Sequence, residues 1–423
     1  MPPLIRTRSH PVPLTTPLAK PPSKPPSKPP AAAQRHVPVG WLALLAAPAA
    51  ASANSPVLIL PDMADSLGAR TASATWLVTV FAWAMAVGTP LMAGLLRRRG
   101  LGATLKLSAA LIVTGTAVLA ASPLLSPAMA GRAAQAAGAA GLITAAMSLA
   151  GSVRRMGVIT AGFGVLGAGG PLLGSVLAGA ASWRVSLAVG GVALLALPVV
   201  MRRADLTPPP RSAPFDGRGA ALLVLMVTAL VLVPRYPLPA VAAALAAAVP
   251  LTLHIRSRPT GFVPVSLLRT RAFILSAALA CTLATSYFTL LFTVPQLLRE
   301  RTGWSAAAIG TGQLAALLTG SVLSMALAAA SARMSRPRVL TILLAVGALA
   351  PLTAALTPWG PPLLLVAALA VFATSAGQAT LAVYATAPTP AGLRPTAIGL
   401  FNLCYQLGGA FGPAIAAAVV LGG

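Results

Sequence analysis

The groups that could do acid–base chemistry are few enough to place one by one. The chain has 423 residues, with five acids and three histidines against 30 Lys and Arg. Asp62, Asp65, Asp205, Asp216 and Glu300 all fall between or at the ends of apolar runs, and none lies in the middle of one. His10 and His36 precede the first run and His254 closes another. No GxSxG, HExxH, complete Walker A or Cys/His metal spacing occurs. Cys281 and Cys404 lie in apolar stretches, as small packing residues do. These residues predict no enzyme, no cofactor and no metal site.

Arg132 is the one charge placed inside an apolar run, about two turns from its start. An arginine at the centre of a lipid-spanning helix costs about 2.5–3.5 kcal/mol unless it finds partners. Gln135, one turn on, and Asn54 are candidate partners, as are backbone carbonyls near Pro48 and Pro56, because a proline leaves the carbonyl four residues earlier without its helical donor. An anionic group on a solute or a coupling ion is the functional alternative. Asp62 is the titratable group nearest to a run; its other reading is a solvated loop carboxylate.

The elements that must position these residues follow from composition. Hydrophobic residues are 57% of the chain and charged residues 8%, too few charges to cover a soluble globule. Thirteen apolar runs recur, near 39–60, 73–96, 104–122, 127–150, 157–181, 185–201, 219–234, 238–255, 272–297, 304–331, 338–357, 362–386 and 396–421. Lipid requires every backbone group to be satisfied internally, so each run predicts a helix. Placing the N-terminus in the cytoplasm puts 24 of the 30 basic residues on the cytoplasmic side and five on the other, with Arg132 between. That asymmetry is the positive-inside pattern, so the net charge of +25 sets orientation and does not call for nucleic acid. Residues 1–38, with Lys20-Pro-Pro-Ser-Lys-Pro-Pro-Ser-Lys28, read as a disordered, basic, Pro-rich cytoplasmic tail.

Several local patterns resemble the major facilitator superfamily, and within it the fourteen-span drug:proton antiporters. Leu58-Ile-Leu-Pro61 with Asp62, Leu67-Gly68 and Trp76 resembles that branch's first two spans. Arg132-x-x-Gln135-x-x-Gly138 resembles its fourth-span motif, and Gly170-Pro171-x-x-Gly174 its fifth-span antiporter motif. Gly399-Leu-Phe-Asn402 and Gln406-Leu-Gly-Gly409 resemble its penultimate span. The departures are Ser52, near the place where the first span usually carries an Asp, the acid-free loop Gly94-Leu-Leu-Arg-Arg-Arg-Gly100, and the expectation of a fourteenth span where thirteen are read.

The resemblance implies an all-α polytopic membrane protein of two pseudo-symmetric bundles with a central inserted helix pair. Its layout would be an N-terminal bundle at 39–201, a linker with two extra spans at 202–271 and a C-terminal bundle at 272–423. It implies a monomeric secondary exporter of small hydrophobic or amphipathic compounds, in a bacterial plasma membrane, with protons as the coupling ion. The implied pathway comprises Asn54, Asp62, Trp83, Arg132, Gln135, Tyr287, Gln313, Gln378, Tyr384, Asn402 and Gln406, with Gly170, Pro171 and Gly174 as the conformational motif. Phe288 would add an aromatic surface. Each polar residue is equally a source of interhelical hydrogen bonds. The lost acids keep two other functions open: a transport-incompetent relative acting as sensor or scaffold, and an organic-anion facilitator that uses Arg132.

Overall fold

The structure, a computed structural model, describes residues 36–207 and 215–420. Most of the 1–38 tail, the linker stretch 208–214 and the last three residues lie outside them. Ten helices among the described residues are long and apolar enough to cross a membrane. One of these, Trp76–Ala121, is two helices broken at Gly100, whose φ of +81° only glycine adopts without strain. Gly217–Leu232 is a shorter apolar helix, and Arg394–Val420 closes the described chain. Thirteen helices therefore stand where thirteen runs are predicted, with boundaries shifted by a few residues.

In chain order the spans are Val39–Leu58, 76–99, 101–121, Leu125–Ala150, Val153–Ala180, Trp183–Arg203, Gly217–Leu232, Pro237–Ser257, Arg271–Thr302, Ala306–Ala330, Arg336–Leu356, Pro361–Thr386 and Arg394–Val420. The first is not one regular helix: Pro48 and Pro56 divide it into two α-helical pieces and a 3₁₀ turn, Ser55–Leu58. Short helices at Leu60–Ser66, Thr71–Ala74 and Val265–Arg269 occupy stretches that read as loops in sequence, where the apolar runs are interrupted.

Small residues let the backbones approach. The third and fourth spans touch along a glycine seam, where a Cβ on Gly131 would fall 2.7 Å from the Gly115 carbonyl oxygen. With no hydrophobic drive between helices in lipid, such close packing is what binds them. The fifth span lies equally close to the first: Cβ atoms on Gly170 and Gly174 would meet Ala51 O at 2.9 Å and Ser55 O at 2.3 Å. The glycines of the expected antiporter motif thus fix the distance between these two spans.

The ends of the bundle differ. Arg97–Arg99, Arg154, Arg155, Arg256, Arg258 and Arg336 gather at what is here called the basic end. At that end the early and late spans meet tightly. A Cβ on Gly399 would be 2.7 Å from the Ala93 Cβ and 3.2 Å from the Pro90 Cα, and one on Gly157 would be 3.3 Å from the Ala328 Cβ. Asn402 Nδ2 donates to Met147 Sδ at 3.1 Å across the same seam.

The central helix pair is anchored by Asp216, which caps the seventh span. Its Oδ1 accepts from Gly219 N at 3.0 Å and lies 2.7 Å from His254 Nε2 of the eighth span; its Oδ2 accepts from Phe262 N at 2.9 Å. Burial raises the Asp216 carboxyl, but the two backbone donors and His254 outweigh it and hold the group below its usual range.

Candidate functional site

Between the early and late spans lies a cavity of about 960 Å³, counting its open mouth. The first span contributes Ala49, Ala53 and Asn54, the second Phe81 and Met85, and the fifth Phe163, Gly164 and Gly167. Tyr287, Phe288 and Phe292 come from the ninth span, Thr374, Ser375 and Gln378 from the twelfth, and Asn402, Tyr405 and Gln406 from the last. No Asp, Glu, Lys, Arg or His is among the lining residues. The Tyr287 and Phe288 rings stand edge to face, 4.8 Å between centroids, and form an aromatic corner of the wall. An apolar surface with amides and hydroxyls at a few points suits an uncharged or weakly polar organic solute. The lining residues lie near the middle of their spans, whereas toward the basic end Gly399 packs on Ala93 and Gly157 on Ala328.

Three side chains occupy carbonyls that prolines have freed. Pro171 cannot give Gly167 its helical bond, and Asn54 Nδ2 donates to the Gly167 carbonyl at 2.9 Å. Pro295 frees Leu291 in the same way, and Gln313 Nε2 donates there at 3.2 Å. Pro56 frees Ser52, and Arg132 Nη2 donates to the Ser52 carbonyl at 2.8 Å. Each bond joins two spans at a bend. Asn54 and Tyr287 also line the same cavity, so Asn54 bridges the proline site and the cavity wall.

Arg132 is fully buried. Its Nη1 donates to Ser52 Oγ at 2.9 Å and to Gln135 Oε1 at 3.1 Å, while Gln135 Nε2 donates to Thr116 Oγ1 at 2.9 Å. The Phe81 ring covers the guanidinium with its centroid 4.1 Å from Cζ. Of the partners expected for Arg132, Gln135 and a carbonyl freed by Pro56 are found, and Asn54 is not, because Pro171 engages it elsewhere. Ser52 is the partner that sequence reasoning passed over, although it stands near the place of the missing Asp.

Of the eleven expected pathway residues, Asn54, Tyr287, Gln378, Asn402 and Gln406 meet at the cavity. Six do not. Arg132 and Gln135 lie behind Phe81. Gln313 is buried against Leu291, and Trp83 Nε1 donates to Thr228 Oγ1 at 2.9 Å, facing the central pair. Tyr384 lies beneath Arg336 near the basic end, 5.3 Å from ring centroid to guanidinium. Asp62 is exposed, in the first turn of the short helix Leu60–Ser66. For these six, a nearer partner or a helix face turned away from the interior decided the placement, and neither is visible in one run of sequence.

Comparison with known proteins fits this geometry. The Major Facilitator Superfamily profile matches residues 40–413. The chain belongs to the Major Facilitator Superfamily. The crystal structure of the human organic anion transporter MFSD10 (TETRAN) superposes with a TM-score of 0.61 at 20% identity, covering 93% of this chain and 94% of that one. At that identity the likeness concerns the fold. Among curated proteins none matches.

Major facilitator proteins are multi-pass membrane transporters, not enzymes. Tyr405, Thr374, Ser375, Phe163 and Phe292 also line the cavity and were not singled out in sequence. One signal was available for Tyr405: it adjoins Gln406 on a span whose Asn402 was already marked, one helical turn away.

Proposed function

We propose that this chain is a secondary exporter of small hydrophobic or amphipathic compounds, working as a monomer in a bacterial plasma membrane. The observation that carries the reading is the large cavity without a charged lining residue, walled by Tyr287, Phe288 and Phe292 and dotted with amides. The positive-inside pattern supports a cytoplasmic basic end and a cytoplasmic N-terminal tail. On that orientation the cavity communicates with the outside and the packed seam is the closed inner gate. Alternating access would part Gly399 from Ala93 and close the far end around the same site. The layout proposed for this motion is a bundle at 39–201, the linker with two spans at 202–271 and a second bundle from 272.

The Gly170–Gly174 contact supports a bend-linked step, since Pro171 and Asn54 connect the fifth span to the cavity wall. Proton coupling comes from the resemblance alone; no lining carboxylate or imidazole supports it. The MFSD10 likeness keeps organic-anion transport as a second reading, in which Phe81 would have to move before a solute could reach Arg132.

The test is efflux of cationic dyes and hydrophobic antibiotics from cells lacking their major pumps, with and without protonophore. The control is Ser375→Trp, which fills the cavity, produced at the same membrane level. The expected result is energy-dependent efflux that the control loses. No efflux across the panel, with the protein in the membrane, would favour the sensor or scaffold reading. Inhibition by protonophore would support proton coupling, and indifference to it would count against it.

A further inference from the structure

Carboxamides buried behind the cavity find partners inside the protein. Gln135 Nε2 donates to Thr116 Oγ1, and Gln313 Nε2 to the Leu291 carbonyl. Gln378 does not. It is 6% exposed and lines the large cavity, yet among the described residues nothing bonds to its carboxamide. The Ser375 hydroxyl, equally buried, and the half-buried Gln406 carboxamide also line the cavity unbonded. Buried polar groups are nearly always hydrogen-bonded, so groups left open toward a cavity point to what the cavity holds.

These three side chains form one polar band. Ser375 and Gln378 lie one helical turn apart on the twelfth span and so are neighbours on its surface. The stretch 387–393 turns the chain back into the last span. There Gln406 stands at the depth of Ser375, each about three helical turns from that connection. The rings of Phe288 and Phe292 line the same space.

A free carboxamide offers a donor and an acceptor side by side. A carboxylate would meet only the donor and an ammonium group only the acceptor, and neither finds an opposite charge among the lining residues. A hydrocarbon would displace water and leave both unpaired, which is costly in a closed cavity. We propose that Gln378, with Ser375 and Gln406 in the same band, recognises neutral solutes whose N–H and C=O lie on one edge: lactams, cyclic ureas and primary amides. The solute N–H donates to Gln378 Oε1 and its C=O accepts from Nε2, while the ring body lies against Phe288 and Phe292. The proposal deepens the reading of the cavity as a solute site and rests on it. A lipophilic cation without such an edge keeps the aromatic contact and lacks only the paired hydrogen bonds.

The experiment is equilibrium dialysis of the purified full-length chain in detergent against protein-free micelles of the same detergent. Three bicyclic probes of similar shape are compared: the lactam carbostyril, its N-methyl derivative, which keeps only the acceptor, and naphthalene, which has neither group. Wild type is expected to bind carbostyril about tenfold more tightly than the other two. Gln378→Leu should bring carbostyril down to the level of naphthalene without weakening naphthalene. Gln378→Met, which keeps the length and loses the amide, serves if the leucine variant does not accumulate. Equal wild-type affinities for the three probes, or no binding of carbostyril, would overturn the proposal even without a variant. So would a Gln378 variant that weakens carbostyril and naphthalene alike. Carbostyril flux in proteoliposomes is read separately. Selective binding without flux would uphold the amide site and count against export, whereas flux with no preference for the lactam would uphold transport and overturn the site.

Discussion

At Pro171 the helix loses one N–H, and Asn54 supplies another from the neighbouring span. The pairing makes a specific prediction. Asn54→Ala leaves the buried Gly167 carbonyl unpaired and should cost about 1–3 kcal/mol. Pro171→Ala restores a helical donor, so in that background the same change should cost much less. A double-mutant cycle by thermal unfolding measures the difference; simple additivity would contradict the pairing. The same residue shows how far sequence reasoning reached. That Arg132 needs partners, and that Pro56 frees a carbonyl for it, could be read from residue types and spacing. That Asn54 serves Pro171 could not, because the two lie 117 positions apart and only packing of the first and fifth spans brings them together.

At the scale of elements, two contacts carry predictions. Asp216 caps the seventh span and holds Phe262 and His254. Its carboxyl lies below the usual range in the folded protein, so its stabilisation is present above the unfolded value of about 3.9 and is lost as pH falls through the folded one. Asp216→Ala should therefore lower stability by about 1–3 kcal/mol at neutral pH. The gap between the curves should narrow as the pH falls below 4. Unfolding followed against pH checks this, and a gap constant with pH would contradict it. The second contact is the seam at Gly399. Gly399→Val drives a side chain into Ala93 and Pro90 and should disfavour the closed basic end. A shift of about 1.4 kcal/mol changes that population tenfold, so efflux should drop by about that factor at equal protein level.

The whole molecule is where the sequence was most legible. Thirteen apolar runs became thirteen helices because lipid leaves a spanning chain few alternatives. Irregularity was harder to read: the first span is broken by Pro48 and Pro56, and the second and third join through Gly100 with hardly a loop. Which polar residues reach the cavity was half legible, since helix rotation and distant partners decide it; Trp83 turned to Thr228 and Gln313 to Leu291. Orientation belongs to this scale as well. With Cys281 and Cys404 replaced by Ala, a cysteine at Ser66 should react with an impermeant thiol reagent added to whole cells. One at Ser257 should react only after the membrane is opened, and the reverse pattern would invert the proposed topology.

The most direct measurement is flux through the purified protein. Proteoliposomes containing the chain, loaded to impose a proton gradient, would be compared with vesicles containing Ser375→Trp at the same density. Faster movement of a lipophilic cationic dye is expected with the wild-type chain than with the filled cavity. Equal flux in the two preparations, with both proteins folded, would contradict the claim that the central cavity is a transport site.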